Sequence, residues 1–334
     1  MKCAVGAILL GLLAIRPADA APAQCQYTLL SGLPIQFDEL KPTLAATING
    51  KPVTLLVDTG STRNILVQQS AEKLGLKLTP GRRRYFGVGG ETKLDKTVLD
   101  DISLGSLAFH KQAVFVAEDF ELHQDMLLGA EFLFQKDLEM SLRAKELKLF
   151  KSEGCDEAFL AYWDVDAQDV PLEKLAVGDP RAAVTVELNG KKLRALIDSG
   201  AQRSAINLAA ASKLGITPES ENIADQGTTV GIGKQETKHW TAKFQSFTIG
   251  GETINNPKID ILDLYGAAKS DSIKTGDIIF DDEGPEMLLG ADFLRAHHVL
   301  FAFSQRRFYF SYLGGSVFDV SSNNDAPPLR SQAQ

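Results

Sequence analysis

The sequence lacks most of the features that assign a protein to a common functional class. Its 334 residues carry no excess of positive charge, and the formal net charge of −8 at pH 7 argues against a nucleic-acid partner. After residues 1–20, no apolar segment approaches the roughly 20 residues that span a bilayer. The five histidines have neither an H-E-x-x-H motif nor cysteine partners, so no metal site is expected. The G-x-S-x-G motif of familiar serine hydrolases is also missing.

Residues 1–20 have the pattern of a signal peptide. Lys2 supplies the positive charge, an apolar stretch follows over residues 3–15, and Ala18-Asp19-Ala20 matches the A-x-A cleavage site. The pattern predicts cleavage after Ala20 and export to the periplasm or the medium, and it most resembles a bacterial leader. A retained N-terminal anchor is the alternative.

The chain carries one sequence pattern twice. Leu56-Val57-Asp58-Thr59-Gly60 returns as Leu196-Ile197-Asp198-Ser199-Gly200, so that in both copies an apolar run ends in an aspartate, a hydroxyl residue and a glycine. Four further features surround both copies in the same order. They are an Asn-Gly hairpin signal (49–50 and 189–190), a short helix closed by glycine (71–76 and 211–216), a glycine-rich segment (87–90 and 231–233) and a Met-Leu-Leu-Gly-Ala segment (126–130 and 287–291). An internal duplication is therefore predicted.

The repeated pattern resembles the retropepsin-like aspartic proteases. That family has a D-[ST]-G triplet after apolar residues, a glycine-rich flap and an apolar-apolar-Gly segment that opens a short helix, and both halves match it. A retroviral enzyme uses one such unit as a homodimer, whereas two units in tandem resemble the two-lobed pepsins. The resemblance implies an all-β fold of two homologous β-barrel lobes with short helices, related by pseudo-twofold symmetry. It also implies a monomer with one active site between the lobes.

The repeat sets the expected organisation of the chain. We expect a first lobe over residues 37–150, a linker over 151–178, a second lobe over 179–313 and a disordered tail over 321–334. Removal of the leader leaves two cysteines, Cys25 and Cys155, which are expected to pair in an oxidising compartment and tie the chain start to the linker. Two free thiols are the alternative, and no Cys-His constellation supports a catalytic role.

Asp58 and Asp198 are the expected catalytic pair. If the lobes face each other, the two carboxylates cannot both ionise, so they share one proton and can activate water against an amide. The residues expected to support the pair are Thr59, Gly60, Ser61, Ser199 and Gly200. The glycines admit backbone N–H groups to the carboxylates, and the resemblance implies that the two hydroxyls bond across the lobe interface. Because Ser61 offers a further donor where lobe two has Ala201, Asp58 is expected to be the more readily ionised partner.

Two glycine-rich segments are expected to form β-hairpin flaps over the cleft. They are Gly87-Val88-Gly89-Gly90 and Gly231-Ile232-Gly233. Neither has the full G-x-G-x-x-G pattern in a βαβ context, so a nucleotide loop is not indicated. A flap of this kind closes over an extended peptide, whose main chain pairs with the strands of the protein.

The sequence thus predicts an exported aspartic endopeptidase that acts as a single chain on peptide or protein substrates, without a metal or organic cofactor. The alternative is a non-catalytic peptide-binding or scaffold protein that retains the fold, because a fold does not prove activity. A third possibility is that each lobe pairs with its twin in another molecule, which gives an obligate oligomer.

Overall fold

The computed structural model describes residues 24–88, 90–118, 122–221, 223–229, 236–264 and 284–318. The expected signal peptide (1–20), the expected tail (321–334) and four residues of the expected flaps lie outside these ranges. Those four residues are Gly89, Gly231, Ile232 and Gly233. Within the described ranges strands dominate and the helices are short, so the predicted all-β fold is confirmed.

The first half of the described chain contains eleven strands and two helices. They are β1 (Gln26–Pro34), β2 (Gln36–Asp38), β3 (Lys41–Ile48), β4 (Lys51–Val57), β5 (Ile65–Val67), α1 (Gln68–Leu74), β6 (Thr79–Gly87), β7 (Gly90–Leu104), β8 (Leu107–Ala117), β9 (Met126–Leu128), α2 (Ala130–Leu133), β10 (Asp137–Ser141) and β11 (Glu146–Glu153).

The second half of the described chain continues with twelve strands and two helices. They are β12 (Gln168–Pro171), β13 (Ala183–Leu188), β14 (Lys191–Ile197), β15 (Ala205–Asn207), α3 (Leu208–Lys213), β16 (Ile223–Thr229), β17 (Thr237–Lys243), β18 (Ser246–Ile249), β19 (Glu252–Asn255), β20 (Lys258–Leu262), β21 (Met287–Leu289), α4 (Ala291–Arg295), β22 (His297–Ala302) and β23 (Arg307–Tyr312).

These strands form three sheets. Eight strands in the order β2-β3-β4-β9-β5-β8-β7-β6 form lobe one, which closes into a barrel because β3 also pairs with β7. Nine strands in the order β16-β17-β20-β15-β21-β14-β13-β18-β19 form lobe two. The third sheet, in the order β1-β11-β10-β22-β23-β12, takes strands from both halves of the chain and therefore joins the lobes.

The two lobes repeat the same strand pairings. In lobe one, β4 is parallel to β9 and β5 to β8, and in lobe two β14 is parallel to β21 and β15 to β20. Each lobe also contains an Asn-Gly turn in which both residues have positive φ, at 50° and 76° for Asn49 and Gly50 and at 50° and 74° for Asn189 and Gly190. Two-residue hairpin turns of type I′ require this conformation, which is the reason that Asn-Gly predicts them.

The strands that lead to the two aspartates are buried at their ends. The last three residues of β4 and of β14 are all buried, because each strand lies between two neighbours and is covered on both faces. The backbone N–H of Asp58 then donates to Leu128 O (3.0 Å), and that of Asp198 donates to Leu289 O (2.8 Å). Both aspartates are therefore fixed to the apolar segment that returns in each half of the chain.

The segment between the lobes packs against the joining sheet. Leu160 and Ala161 are buried with residues of β22 and β23, and β12 pairs with β23. A disulfide joins Cys25 to Cys155, and the Trp163 indole N–H donates to Ser311 Oγ at 3.1 Å. The segment is thus held along its length rather than acting as a simple tether. None of the helices in the described ranges is long and apolar enough to cross a membrane.

Candidate active site

The two expected catalytic aspartates face each other at equivalent strand ends. A Cβ atom added to Gly60 would lie 2.3 Å from Cγ of Asp198, and one added to Gly200 would lie 2.4 Å from Cγ of Asp58. Each carboxyl group therefore lies against the glycine loop of the opposite lobe. The two carboxyl groups also hydrogen-bond to each other. One chain thus brings both acids into a single half-buried site.

Each carboxylate accepts two backbone N–H bonds from its own loop. Oδ1 of Asp58 accepts from the N–H groups of Gly60 and Ser61, both at 2.9 Å. Oδ1 of Asp198 accepts from the equivalent pair of N–H groups, at 2.9 and 3.1 Å. The residue after the hydroxyl residue has to be glycine for two reasons. The loop must curl around its own carboxylate, and a side chain at this position would occupy the space of the carboxylate from the opposite lobe.

The hydroxyls that follow the aspartates bond across the lobe interface. Thr59 Oγ1 donates to Ile197 O (2.8 Å) and accepts the N–H of Ser199 (2.9 Å). Ser199 Oγ donates to Val57 O (2.7 Å) and accepts the N–H of Thr59 (3.1 Å). Both side chains are fully buried, so these four bonds are shielded from water and hold the two aspartate loops in register.

Burial raises the pKa of both aspartates, but not equally. The pKa of Asp58 is raised well above its ordinary range by burial and by the adjacent charge of Asp198. Burial also raises the pKa of Asp198, but the Ala201 N–H, the hydrogen bond from Asp58 and the positive charge of Arg181 oppose that rise. The two acids therefore behave as one coupled pair, which keeps a proton at a pH where a single exposed aspartate would have lost it.

The Ser61 hydroxyl does not donate to Asp58 as expected, and which of the two acids ionises more readily stays a prediction. The Ser61 hydroxyl donates to Arg63 O (2.9 Å) and bonds with the Tyr85 hydroxyl (3.1 Å), so it turns away from the carboxylate. Only the backbone N–H of Ser61 reaches Asp58, and lobe two supplies the same bond. The side chain at this position therefore does not distinguish the two acids, and the positive charge of Arg181 is one of the influences that oppose the rise in the pKa of Asp198.

Arg181 is a site residue that the sequence interpretation missed. Its Nε and Nη2 pair with Asp179 (2.9 and 2.6 Å), and its Nη1 donates to Gly60 O in the opposite lobe (3.4 Å). A basic residue stands at the same distance before both aspartates, as Lys41 and Arg181, and that match within the repeat was the available signal. Tyr85, which is buried beside Ser61, was also missed.

The first glycine-rich segment lies at the turn of a long hairpin. β6 and β7 pair as far as Gly87 and Gly90, and Val88 lies in the turn between them. Thr237 Oγ1 of lobe two donates to Val88 O at 2.9 Å, so the end of this hairpin touches the opposite lobe. β16 and β17 form the equivalent hairpin, paired as far as Thr229 and Thr237. The expected flap residues Gly231, Ile232 and Gly233 lie outside the described residues.

The site as described contains an acid–base pair and no cluster of metal ligands. Among the described residues, no group of three or more histidine, cysteine, aspartate and glutamate side chains is placed to hold a metal ion. The chemistry available from the side chains present is therefore proton transfer. One carboxyl group can donate a proton while its partner accepts one.

Two solved structures to which this chain is similar are described as aspartic proteases. The crystal structure of an aspartic proteinase from Irpex lacteus matches 88% of this chain and 99% of that chain, with a TM-score of 0.50 and 15% identity, which shows the fold alone. A retropepsin-like aspartic protease from Rickettsia conorii is 22% identical and matches 39% of this chain and 95% of that chain. Its TM-score of 0.30 is too low to support a conclusion.

Sequence comparison gives one curated relative and one family. An uncharacterized protein in the cobV 5′ region of Sinorhizobium sp is 32% identical over 108 residues, which are 31% of this chain and 45% of that protein. The match thus spans less than half of the relative. The family model described as aspartyl protease matches residues 44–132 and 184–293. Because these segments make up more than half of the chain and each contains one of the two aspartate loops, the chain belongs to the aspartyl protease family.

Proposed function

We propose that the protein is an aspartic endopeptidase in which Asp58 and Asp198 activate a water molecule against a peptide bond. The observation that carries the proposal is the position of each carboxyl group against the glycine loop of the other lobe. Carboxyl groups so close together cannot both ionise, and a pair that holds one proton provides an acid and a base at the same place. Membership of the aspartyl protease family supports a peptide substrate.

In the proposed mechanism Asp198 begins as the ionised partner and Asp58 as the protonated one. Asp198, whose ionised form is favoured by the charge of Arg181, accepts a proton from the water as its oxygen attacks the peptide carbonyl carbon. Asp58 donates its proton to the carbonyl oxygen, which gives a tetrahedral diol. When the diol collapses, one hydroxyl proton returns to Asp58 and Asp198 passes its proton to the amide nitrogen. The C–N bond breaks and the pair regains its starting state.

The substrate would lie between the first flap hairpin and the pair. The Val88 carbonyl in the flap turn already accepts a hydrogen bond from Thr237 of lobe two, so the hairpin reaches across the cleft. An extended peptide entering here could bond with the flap backbone in the manner of an added strand. Closure over the peptide would exclude bulk water from the reacting bond.

The test is cleavage of a peptide library at several pH values, with and without pepstatin. The variants Asp58→Asn and Asp198→Asn should each lose nearly all cleavage, because the acid and the base act as one pair. Asp100→Asn is a matched control at a surface ion pair with Lys111 and should cleave like the wild type. Cleavage that survives either change in the pair would refute the mechanism. Binding of pepstatin without turnover at any pH would support a peptide-binding protein instead.

We also propose that the protein works in the periplasm or outside the cell. The disulfide between Cys25 and Cys155 supports this location, because structural disulfides persist in oxidising compartments. Expressed with its leader in a bacterial host, the protein should be recovered outside the cytoplasm, should begin at Ala21 and should have no thiol that reacts with a maleimide. Retention in the cytoplasm with both thiols reactive would contradict the proposal.

A further inference from the structure

The wall of lobe one beside the catalytic pair is apolar. A small buried cluster contains Ile65, Tyr85, Leu94, Ala117 and Leu127, and Phe115 packs against it. Tyr85 belongs to the flap hairpin and its hydroxyl contacts Ser61, whose backbone N–H binds Asp58. The cluster therefore lies between the flap hairpin and the aspartate loop.

Lobe two has an aspartate at the position of Phe115. The parallel pair β5–β8 places Ile65 opposite Phe115, and the equivalent pair β15–β20 places Ala205 opposite Asp260. The pairing with the next strand supports the same equivalence. Phe115 lies opposite Lys96 of β7, and Asp260 lies opposite Thr241 of β17. The same strand position is thus aromatic in one lobe and acidic in the other.

Asp260 is buried and fully engaged. It is 2% exposed. Its Oδ2 accepts from Arg203 Nε at 2.7 Å and its Oδ1 accepts from Arg203 Nη2 at 3.2 Å. Thr241 Oγ1 donates to Oδ1 at 2.7 Å, and His239 Nε2 lies 2.8 Å from Oδ2. These contacts fix the guanidinium of Arg203 along one edge and leave its Nη1 without a side-chain acceptor among the described residues. One third of the Arg203 side chain (33%) is exposed.

The equivalent arginine of lobe one is arranged differently. Arg63 pairs through Nη1 with Glu131 at 3.0 Å, and its guanidinium lies over the ring of Phe115, 5.9 Å from the centroid. In lobe two the acid that matches Glu131 is Asp292, which binds the backbone N–H and hydroxyl of Ser204 instead. The Arg63 guanidinium therefore pairs with helix α2 of its own lobe, whereas Arg203, five residues after Asp198, pairs with Asp260 on β20.

The fold does not require this buried ion pair. Lobe one builds the same strands around an aromatic ring, and a buried ion pair stabilises no better than apolar packing of similar volume. A guanidinium that is oriented on one edge and open on another is suited to bind a planar carboxylate. The Arg203–Asp260 pair is thus not needed for folding, but it orients a guanidinium that can bind a carboxylate.

We propose that Arg203 selects an acidic side chain of the substrate on one side of the scissile bond. Asp260 holds the guanidinium in place for this contact. The inference rests on the proposed peptidase function and adds the chemistry of the side chains that the cleft prefers.

The test is a peptide series that keeps a phenylalanine on one side of the cleaved bond and places Glu, Gln or Met on the other, in both orientations. In one orientation the wild type should cleave the Glu peptide with the highest kcat/KM, followed by Gln and then Met. Arg203→Met should reduce kcat/KM for the Glu peptide about 10–100-fold, because a hydrogen bond to a charged group is lost, and should change it little for the Met peptide. Arg203→Lys should restore part of the preference.

Two further variants separate recognition from folding. Arg63→Met is the matched change in lobe one and should leave the Glu-over-Met ratio unchanged. Arg203→Met combined with Asp260→Phe copies the aromatic position of lobe one and leaves no unpaired buried acid, so it should fold and should prefer Met. Equal cleavage of the Glu and Met peptides by the wild type in both orientations would overturn this inference and leave the peptidase function standing. Failure to cleave any member of the series or the library would overturn both.

Discussion

The steric contact between each glycine loop and the opposite aspartate gives a sharp prediction. A methyl group added in Gly60→Ala would lie 2.3 Å from Cγ of Asp198, whereas carbon atoms in contact are about 3.5–4.0 Å apart. The carboxyl group or the loop must therefore move by about 1 Å or more. The backbone of Gly60 does not have the positive φ that would strain an alanine, so the effect of the change is confined to this contact.

Both stability and catalysis should respond to this displacement. Overpacking of a well-packed site costs about 1–3 kcal/mol in the free energy of unfolding. A displacement of about 1 Å in a catalytic group reduces the rate about 100-fold. Gly200→Ala should have effects of the same size, because its methyl group would lie 2.4 Å from Cγ of Asp58. The two variants should lose similar amounts of stability and activity because the two loops are related by a pseudo-twofold axis.

Urea unfolding and kcat/KM on one cleaved peptide measure the two effects separately. Gly32→Ala in β1 is the matched control, because its methyl group would meet only Glu146 Oε1, at an ordinary 3.6 Å. The control should keep both the unfolding free energy and the activity of the wild type. If Gly60→Ala unfolds at the wild-type urea concentration and cleaves at the wild-type rate, Gly60 does not lie against the Asp198 carboxyl group and the reasoning fails.

Three further predictions concern stability. Thr59→Val and Ser199→Ala each leave a buried carbonyl and N–H without a partner and should cost about 1–3 kcal/mol in urea unfolding, whereas Thr47→Val at an exposed position of β3 should cost little. Burial raises the pKa of Asp292 to about 6, so its contribution to the free energy of unfolding should be full below about pH 4 and lost as the pH rises through 6. In a series of urea unfolding measurements against pH, Asp292→Asn should lack this loss of stability. If the variant loses as much stability as the wild type over the same pH range, another group is responsible. Removal of the disulfide by Cys25→Ser with Cys155→Ser should cost about 2–5 kcal/mol, measured by unfolding with and without reductant, and no difference would mean that the bond adds nothing.

The repeat made the core of the site predictable from the sequence. A strand that ends in Asp, a hydroxyl residue and Gly occurs at the same distance after an Asn-Gly turn in both halves, and local rules are sufficient to place each of these pieces. The turn has the positive φ values that Asn-Gly requires, and Gly75 and Gly215 close helices α1 and α3 with φ of 74° and 78°. Equivalence between the halves then implies that the two acids meet.

The joining sheet was not predictable in the same way. Its central pairing sets Leu138 of β10 opposite Phe301 of β22, and no feature of either short apolar strand indicates a partner so far away in the sequence. Periodicity reports which face of a strand is buried but not which strand covers it. For the same reason the sequence predicts only a linker over residues 151–178, although Leu160 of this segment is buried together with Tyr309 of the sheet.

The roles of individual polar side chains were the least predictable part. The Ser61 hydroxyl was assigned to Asp58 because it is near in sequence, but the Arg63 carbonyl and the Tyr85 hydroxyl are better placed to bond with it. A hydroxyl has one donor, and sequence alone does not state which of several neighbouring acceptors will take it. Arg181, whose charge opposes the rise in the pKa of Asp198, lies in the segment before β13 and donates to Gly60 O of the opposite lobe, a contact that sequence proximity does not indicate.

Some positions carry the same residue in both lobes and others do not, and this difference has a physical explanation. In a homodimer a change in one aspartate loop appears in both, whereas a duplicated chain can change one copy alone. The loops here differ at Ser61 and Ala201, where the Ser61 hydroxyl turns away from the carboxylate, and at Thr59 and Ser199, where both side chains supply the same hydroxyl bonds across the interface. They keep Asp and Gly, because each glycine faces the carboxyl group of the other half and any side chain there would displace it. The contact across the pseudo-twofold axis, rather than common origin, therefore determines which positions had to stay identical, and Phe115 and Asp260, which lie off the axis, were able to differ.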